Sequence, residues 1–209
     1  MIDPEATERS RRLYDAYAPR YDREVGFYER VLLGDGRTWA CAQATGEVLE
    51  VAVGTGRNLP FYPHGVQLTG VDLSPAMLAI AQARARHRGI VARLQAGDAQ
   101  ALSFADGSFD TALCTLGLSS IPDPEAAIRE MSRVLRPGGR MVLVGHVASH
   151  HRAARAGQAL LERLSVPLTG DYQTREPLPL VLAAGFLIDH RERRRAGIIE
   201  RLVAVKPGR

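Results

Sequence analysis

The sequence predicts an α/β fold of three layers, in which a mostly parallel sheet of about seven strands is closed by an antiparallel C-terminal hairpin. Three observations predict it. Short runs rich in valine and leucine alternate with longer segments from Val48 to His146, the pattern that crossover helices on a parallel sheet produce. Two of the intervening segments open on a capping residue followed by proline, Ser74 with Pro75 and Asp123 with Pro124, as helices do. The last two apolar runs stand too close together for a crossover helix, so they should pair antiparallel.

In chain order, residues 8–45 read as helical, with "YDAYAPRYD" (14–22) as a break between two pieces. The runs "GEVLEVAV", "VQLTGVD", "ARLQAGD", "FDTALCT" and "RMVLVGHV" read as buried strands. After Ser74, the residues Met77, Leu78, Ala81 and Ala85 make one apolar helical face until Gly89 stops it. After Asp123, Ile128, Met131, Val134 and Leu135 recur at helical spacing, and "RPGG" (136–139) ends that helix and turns the chain into the next strand. Beyond His146 the pattern predicts a helix at 152–164, a polar loop "TGDYQTREP", a short helix ending at Gly185, and the strands "GFLIDHRE" and "IIERLVAVK". The basic run "HRERRR" (190–195) reads as a solvated strand edge and turn.

The chain has 209 residues, 45% of them apolar and 24% charged, an ordinary globular composition that fits one domain. Its 27 Lys plus Arg against 23 Asp plus Glu give a net charge of +4 and a pI near 9.4. That balance lacks the clustered charge of a nucleic-acid-binding arm, so no nucleic-acid partner is expected, while an acidic membrane surface or other anionic partner is compatible with it. The longest apolar run, Leu178 to Ile188, is broken by Pro179 and Gly185, and a membrane span needs roughly 20 apolar residues. Any membrane contact is therefore expected to be peripheral. The opening "MIDPEATERS" has no apolar secretion signal, and Cys41 and Cys114 lack metal-ligand or disulfide spacing, so the expected setting is the cytoplasm, with no bound metal.

The stretch "VLEVAVGTGRNLPFYP" (48–63) carries Gly54 and Gly56 just after a predicted strand. A dinucleotide fingerprint requires a third glycine, to let helix and strand close on a pyrophosphate, and that position holds Leu59. The wider turn, Glu50-x-Ala52-x-Gly54-x-Gly56, instead places a carboxylate inside the strand end and small residues where a ligand lies against backbone. Asp72, ending the second strand, is suited to accept both hydroxyl protons of a ribose, and Asp98, in the loop after the third, to accept from an adenine amino group. Three carboxylates at adjacent strand ends suit an adenosyl ligand with a cationic amino-acid tail better than one with two phosphates.

The series "LEVAVGTG", "VDLSPAML", "GDAQALSF", "FDTALCT" and "VLRPGG", over roughly residues 14–147, resembles the class I S-adenosylmethionine-dependent methyltransferases, in the small-molecule branch that includes quinone, phosphatidylethanolamine and alkyl thiol methyltransferases. The resemblance implies a Rossmann-like methyltransferase fold and S-adenosylmethionine as donor, leaving S-adenosylhomocysteine. It divides the single domain into a helical cap (1–45), a donor-binding core (46–147) and an acceptor side with the final strands (148–209). It also implies that Glu50, Ala52, Gly54 and Gly56 hold the methionine end, that Asp72 binds the ribose, and that Leu73 and Met77 lie against the adenine. Asp98 and Ala99 would meet the adenine amino edge, Thr115 and Leu116 would border the methyl, and Tyr14 and Tyr21 would cap the site. Two positions depart from the family pattern: glycine is usual where Ala52 stands, and relatives with "EHV" carry glutamate at the place of Gly145.

Methyl transfer from a sulfonium is an in-line displacement, so positioning dominates, and a base is needed only for an acceptor that arrives protonated. His146, at the end of the fifth strand, is the candidate base by location; His150 and His151 fall at a helix entrance. With no "NPPY"-like element after the fourth strand, the expected acceptor is a small or lipid-like molecule bearing a thiol, amine or hydroxyl. An NAD-dependent oxidoreductase and a non-catalytic adenosyl-binding module are the competing readings, the first opposed by Leu59.

Overall fold

A computed structural model describes residues 2–208. Helix α1 (Pro4–Tyr28) runs through a π turn at Glu29–Leu33 and is followed by α2 (Gly36–Ala42). The strands are β1 (Glu47–Val51), β2 (Gln67–Asp72), β3 (Arg93–Ala96), β4 (Phe109–Thr115), β5 (Leu135–His146), β6 (Leu187–Arg194) and β7 (Ile199–Val205). Between them lie α3 (Pro75–Arg88), α4 (Pro124–Val134), α5 (Arg152–Thr169) and α6 (Pro177–Ala183).

The seven strands form one sheet in the order β3-β2-β1-β4-β5-β7-β6. β1 to β5 pair in parallel, while β7 lies antiparallel between β5 and β6. The C-terminal hairpin is thus antiparallel as expected, and its second strand, not its first, docks on the sheet. Alternate residues of each strand feed two layers. Leu49, Val51, Ala112, Cys114, Met141, Leu143 and Leu202 pack with Ile128 and Met131 of α4 and Val181 of α6. Leu113, Val142, Val144, Ile199 and Val203 pack on the opposite face with Leu33 and with Ala40 of α2.

The cap signals work locally. Ser74 Oγ accepts from Met77 N at 3.2 Å, Asp123 Oδ1 accepts from Ala126 N at 2.9 Å, and Gly89 closes α3 in the left-handed conformation. Three boundaries differ from the sequence expectation. "YDAYAPRYD" does not break the first helix: Pro19 lies inside α1 on its exposed side, where its ring meets no packed element and the loss of one ladder hydrogen bond is tolerated. The break comes instead after Leu33, at Gly34 with φ 59°. α5 runs five residues past 164, through Pro167, to Thr169, because its Ser165 and Thr169 side chains find backbone partners. "RPGG" is not a separate turn but the irregular start of β5, with Leu135 pairing Phe109 before the register shifts.

Strand order reverses between β1 and β4, each flanked by crossovers running opposite ways. In open parallel sheets that reversal leaves a crevice at the carboxyl ends of the strands, and the candidate site lies there.

Candidate functional site

The crevice, about 700 Å³ with its open mouth included, is built from four strand ends and α1. After β1, Ala52, Gly54 and Gly56 all take positive φ, at 55°, 56° and 76°, so the chain curls back and Gly54 N meets Asp72 Oδ2 at 2.7 Å. Asp72 Oδ1 accepts from Ser74 N at 2.9 Å. Burial pushes the Asp72 carboxyl up to about 6, against the pull of those backbone donors. The residue thus fixes the turn and still presents a carboxylate to the crevice.

Of the expected donor-site residues, the structure brings Tyr14, Tyr21, Ala52, Gly54, Asp72, Leu73, Met77, Asp98, Ala99, Thr115 and Leu116 to the wall of this one cavity. Glu50 and Gly56 do not reach that wall. Glu50 is buried, with Oε1 accepting from Asn58 Nδ2 at 2.9 Å and Oε2 from Tyr62 Oη at 2.8 Å. Burial raises its carboxyl to about 7, opposed by those donors and by Arg37. Gly56 makes a close approach instead: a Cβ there would stand 2.7 Å from Leu59 Cδ1 and 3.1 Å from Ala81 Cβ of α3. Leu59 therefore packs against the turn at the position where a dinucleotide fingerprint has its third glycine, the one that lets helix and strand approach closely.

Ser10, Gly117, Ser120, Ile121 and Pro122 also line the cavity and were not legible as site residues. The 117–122 loop directly follows β4, so its place after a strand end was the available signal; Ser10 had none once the helix was read as broken nearby. Gly117 has a specific task, because a Cβ there would come within 2.6 Å of Ala52 Cβ. The methyl of Ala52 is accommodated by the missing side chain of Gly117. Its left-handed backbone still costs an L-residue about 1–2 kcal/mol, so Ala52→Gly is expected to raise stability by about 1 kcal/mol, after the entropy of a freer unfolded chain is deducted. Thermal denaturation of the two proteins checks it, through a rise in Tm of roughly 2–4 °C.

Helix α1 roofs the crevice and is latched at several points. Asp15 Oδ1 accepts from Ser74 Oγ at 2.5 Å and Ala76 N at 3.1 Å, at the head of α3. Asp22 pairs with Arg84 and accepts from Thr55 Oγ1 at 2.6 Å. At the far end Glu29 receives Arg37 and Arg57, and Arg37 Nη1 donates to Asn58 Oδ1 at 2.8 Å. Asn58 in turn donates to Thr115 Oγ1 at 2.9 Å, so the roof is wired to two strand ends.

Sharing Tyr14, Tyr21 and Leu116 with the crevice is a second cavity of about 630 Å³, lined also by Tyr17, Val25, Tyr28, His146 and Asp171. His146 is buried, its Nε2 3.1 Å from Asp171 Oδ1. Neither ring nitrogen has an aligned hydrogen bond, nor has the buried Tyr28 hydroxyl, whose ring packs edge-on at 6.1 Å from the imidazole. The Asp171 carboxyl would be raised by burial, but His146, Ser119 and Gln173 hold it below the usual carboxylate range. His150 and His151 stack on each other at the entrance of α5, outside this lining.

Among known proteins, residues 49–143 match the family model described as a methyltransferase domain. The chain is 42% identical over 120 residues to a phosphatidylethanolamine N-methyltransferase of Cereibacter sphaeroides, covering 56% of this chain and 59% of that one. It is 36% identical over 143 residues to a demethylmenaquinone methyltransferase of Thermus thermophilus, 63% of each chain. These matches identify residues 49–143 as a methyltransferase domain. A solved SAM-dependent methyltransferase from Methanosarcina mazei superposes on this chain with a TM-score of 0.63 at 26% identity, covering 78% of this chain and 93% of that one. The chain spans about three fifths of the length of the two named curated relatives. Among the described residues no helix is long and apolar enough to cross a membrane, and no cluster of side chains is arranged to hold a metal ion.

Proposed function

We propose that the protein transfers a methyl group from S-adenosylmethionine to a small or lipid-like acceptor carrying a thiol, amine or hydroxyl, held in the cavity that contains His146. The observation that carries this reading is the pair of adjoining cavities. One is lined by carboxylates and small residues at the switch point of the sheet; the other is mainly apolar, with two buried polar atoms that have no partner, His146 Nδ1 and Tyr28 Oη. Unpaired buried polar atoms are costly, and a ligand that bonds to them removes the cost.

The residues of the first cavity suit the donor. Asp72 is the group to take the ribose hydroxyls, Met77 and Ile121 offer apolar surface for the adenine, and Asp98, on the same wall, is the group to meet its amino edge. When bound, the donor supplies a methyl group on a sulfonium, already activated for displacement. The chain orients what it binds: Leu116, common to both cavities, stands at their junction with φ 61°. Tyr14 and Tyr21 close the junction from the α1 side and exclude water. For a protonated acceptor, His146 takes the proton and the ionised Asp171 stabilises the resulting imidazolium. Two buried free thiols, Cys41 and Cys114, suit a reducing compartment, and we place the protein in the cytoplasm.

Calorimetry with S-adenosylmethionine, S-adenosylhomocysteine and NAD tests the donor, and turnover of labelled donor over thiols, amines and phenols tests the transfer. Tight NAD binding with no response to the sulfonium sinks the reading. Asp72→Ala is expected to weaken donor binding by about 1–3 kcal/mol through lost charge-assisted hydrogen bonds; an unchanged dissociation constant would put the ribose elsewhere. Because the folded Asp72 carboxyl titrates near 6, its accepting, ionised form declines as pH falls through that value. Donor affinity should drop about tenfold from neutral pH to pH 5, and the drop should vanish in the Ala variant.

A further inference from the structure

Helix α5 is built inside out. Its inward face is polar and fastened by hydrogen bonds. Gln158 Nε2 donates to Val147 O at 2.8 Å and Gln173 O at 3.0 Å, and its Oε1 accepts from Ser149 N at 2.8 Å. Glu162 Oε2 accepts from Thr174 N at 2.7 Å, and Ser165 Oγ donates to Asp171 O at 2.7 Å. Its outward face is apolar: Leu160, Leu161, Leu164 and Leu168 are 63%, 51%, 62% and 71% exposed. At 3.6 residues per turn these four share an arc of roughly 100° on the side away from Gln158 and Glu162. A helix docked on a soluble domain normally does the reverse, so this face is shaped for a surrounding that is not water.

Charge selects the occupant. Arg163 and Arg152 lie about 60° and 80° round the helix from Leu160, on one flank of the leucine arc, and Glu162, the only acid of the helix, is turned inward onto Thr174. A second copy of the chain laid on this face would bring two rows of arginines together. An acidic bilayer surface satisfies both halves of the pattern, with acyl chains for the leucines and anionic headgroups for the arginines. The carboxyl end of α5 is also where the second cavity begins, since Thr169 and Asp171 line it opposite Val25 and Tyr28 of α1. Close by in sequence on that end of α1, Phe27 is 71% exposed.

We propose that α5 is an interfacial membrane-docking helix that lies in the plane of a bilayer containing acidic lipids and sets the His146 cavity at the lipid surface. The docking rests on the surface of α5 alone and stands or falls apart from methyl transfer.

The test is co-sedimentation of the full chain with vesicles of phosphatidylcholine alone and of phosphatidylcholine mixed with phosphatidylglycerol, at low and high salt, without donor or acceptor. The expected result is partition into the mixed vesicles that weakens as salt rises. Leu164→Glu with Leu168→Glu should lower partition on the order of 100-fold, and Arg163→Gln about fivefold, with melting temperatures unchanged because all three side chains are exposed. No partition into either vesicle, partition indifferent to lipid charge, or partition unaffected by the glutamates overturns the proposal. So does a dimer in solution that the glutamate variant dissociates, since a second copy would then cover the face. Donor binding measured on the same preparation separates a failure of docking from a failure of the functional reading.

Discussion

His146→Ala is expected to reduce turnover by about 10²–10⁴-fold on acceptors that arrive protonated, the range general-base catalysis supplies, while donor affinity stays unchanged. The imidazole lines a cavity, and its Nδ1 has no partner, so that nitrogen is free to take an acceptor proton. Asp171, held ionised by His146, Ser119 and Gln173 despite its burial, stands 3.1 Å behind Nε2 to stabilise the cation that forms. Asp171→Asn should therefore lower the rate on the same acceptors and alter the pH–rate profile, while leaving the rate on acceptors with a free lone pair. Steady-state kinetics over a panel graded by acceptor pKa checks both; His146→Ala retaining full activity on every member would make the residue structural.

Glu29→Ala is expected to cost about 3–5 kcal/mol of stability, since it leaves buried cations without their counter-charge. Glu29 is 7% exposed. Its Oε1 accepts from Arg37 Nε at 2.8 Å and its Oε2 from Arg57 Nη2 at 2.7 Å and Nε at 3.0 Å. Burial alone would raise the Glu29 carboxyl, but the two guanidiniums outweigh it and hold the group below its usual value. A carboxyl depressed in this way stabilises the fold above its unfolded pKa, and that contribution is lost as pH falls through the folded one. The gap between wild type and variant should be full at neutral pH and shrink below about pH 4. Thermal melts as a function of pH read it out, as a Tm lower by roughly 6–20 °C at neutrality; a gap independent of pH would mean that the lost contacts are packing and not charge.

Much of the fold was legible because its signals are local. Ser74 and Asp123 cap helices by bonding to backbone three residues on, and the valine-rich runs declare their burial by composition. The short connection from β6 to β7 forces them antiparallel. What was not legible depended on which side of an element meets solvent. Pro19 is compatible with α1 only because its side of the helix is exposed, and the extension of α5 past residue 164 depends on the loop it meets. Insertion of β7 between β5 and β6 is a choice of partner that neither strand's own residues express.

The sequence by itself determined the sheet of alternating strands and helices, the capped helices, and the order in which Ala52, Gly54, Asp72, Asp98 and Thr115 arrive at successive strand ends, because each depends on neighbours within a few residues. Only the tertiary structure decided that Glu50 and Gly56 lie behind the crevice wall instead of on it, that Asp171 stands behind His146, that Gly117 makes room for Ala52, and that α5 turns its leucines outward. Those facts are set by contacts between segments far apart in the chain, and the energies of such contacts exist only once the layers have closed on each other.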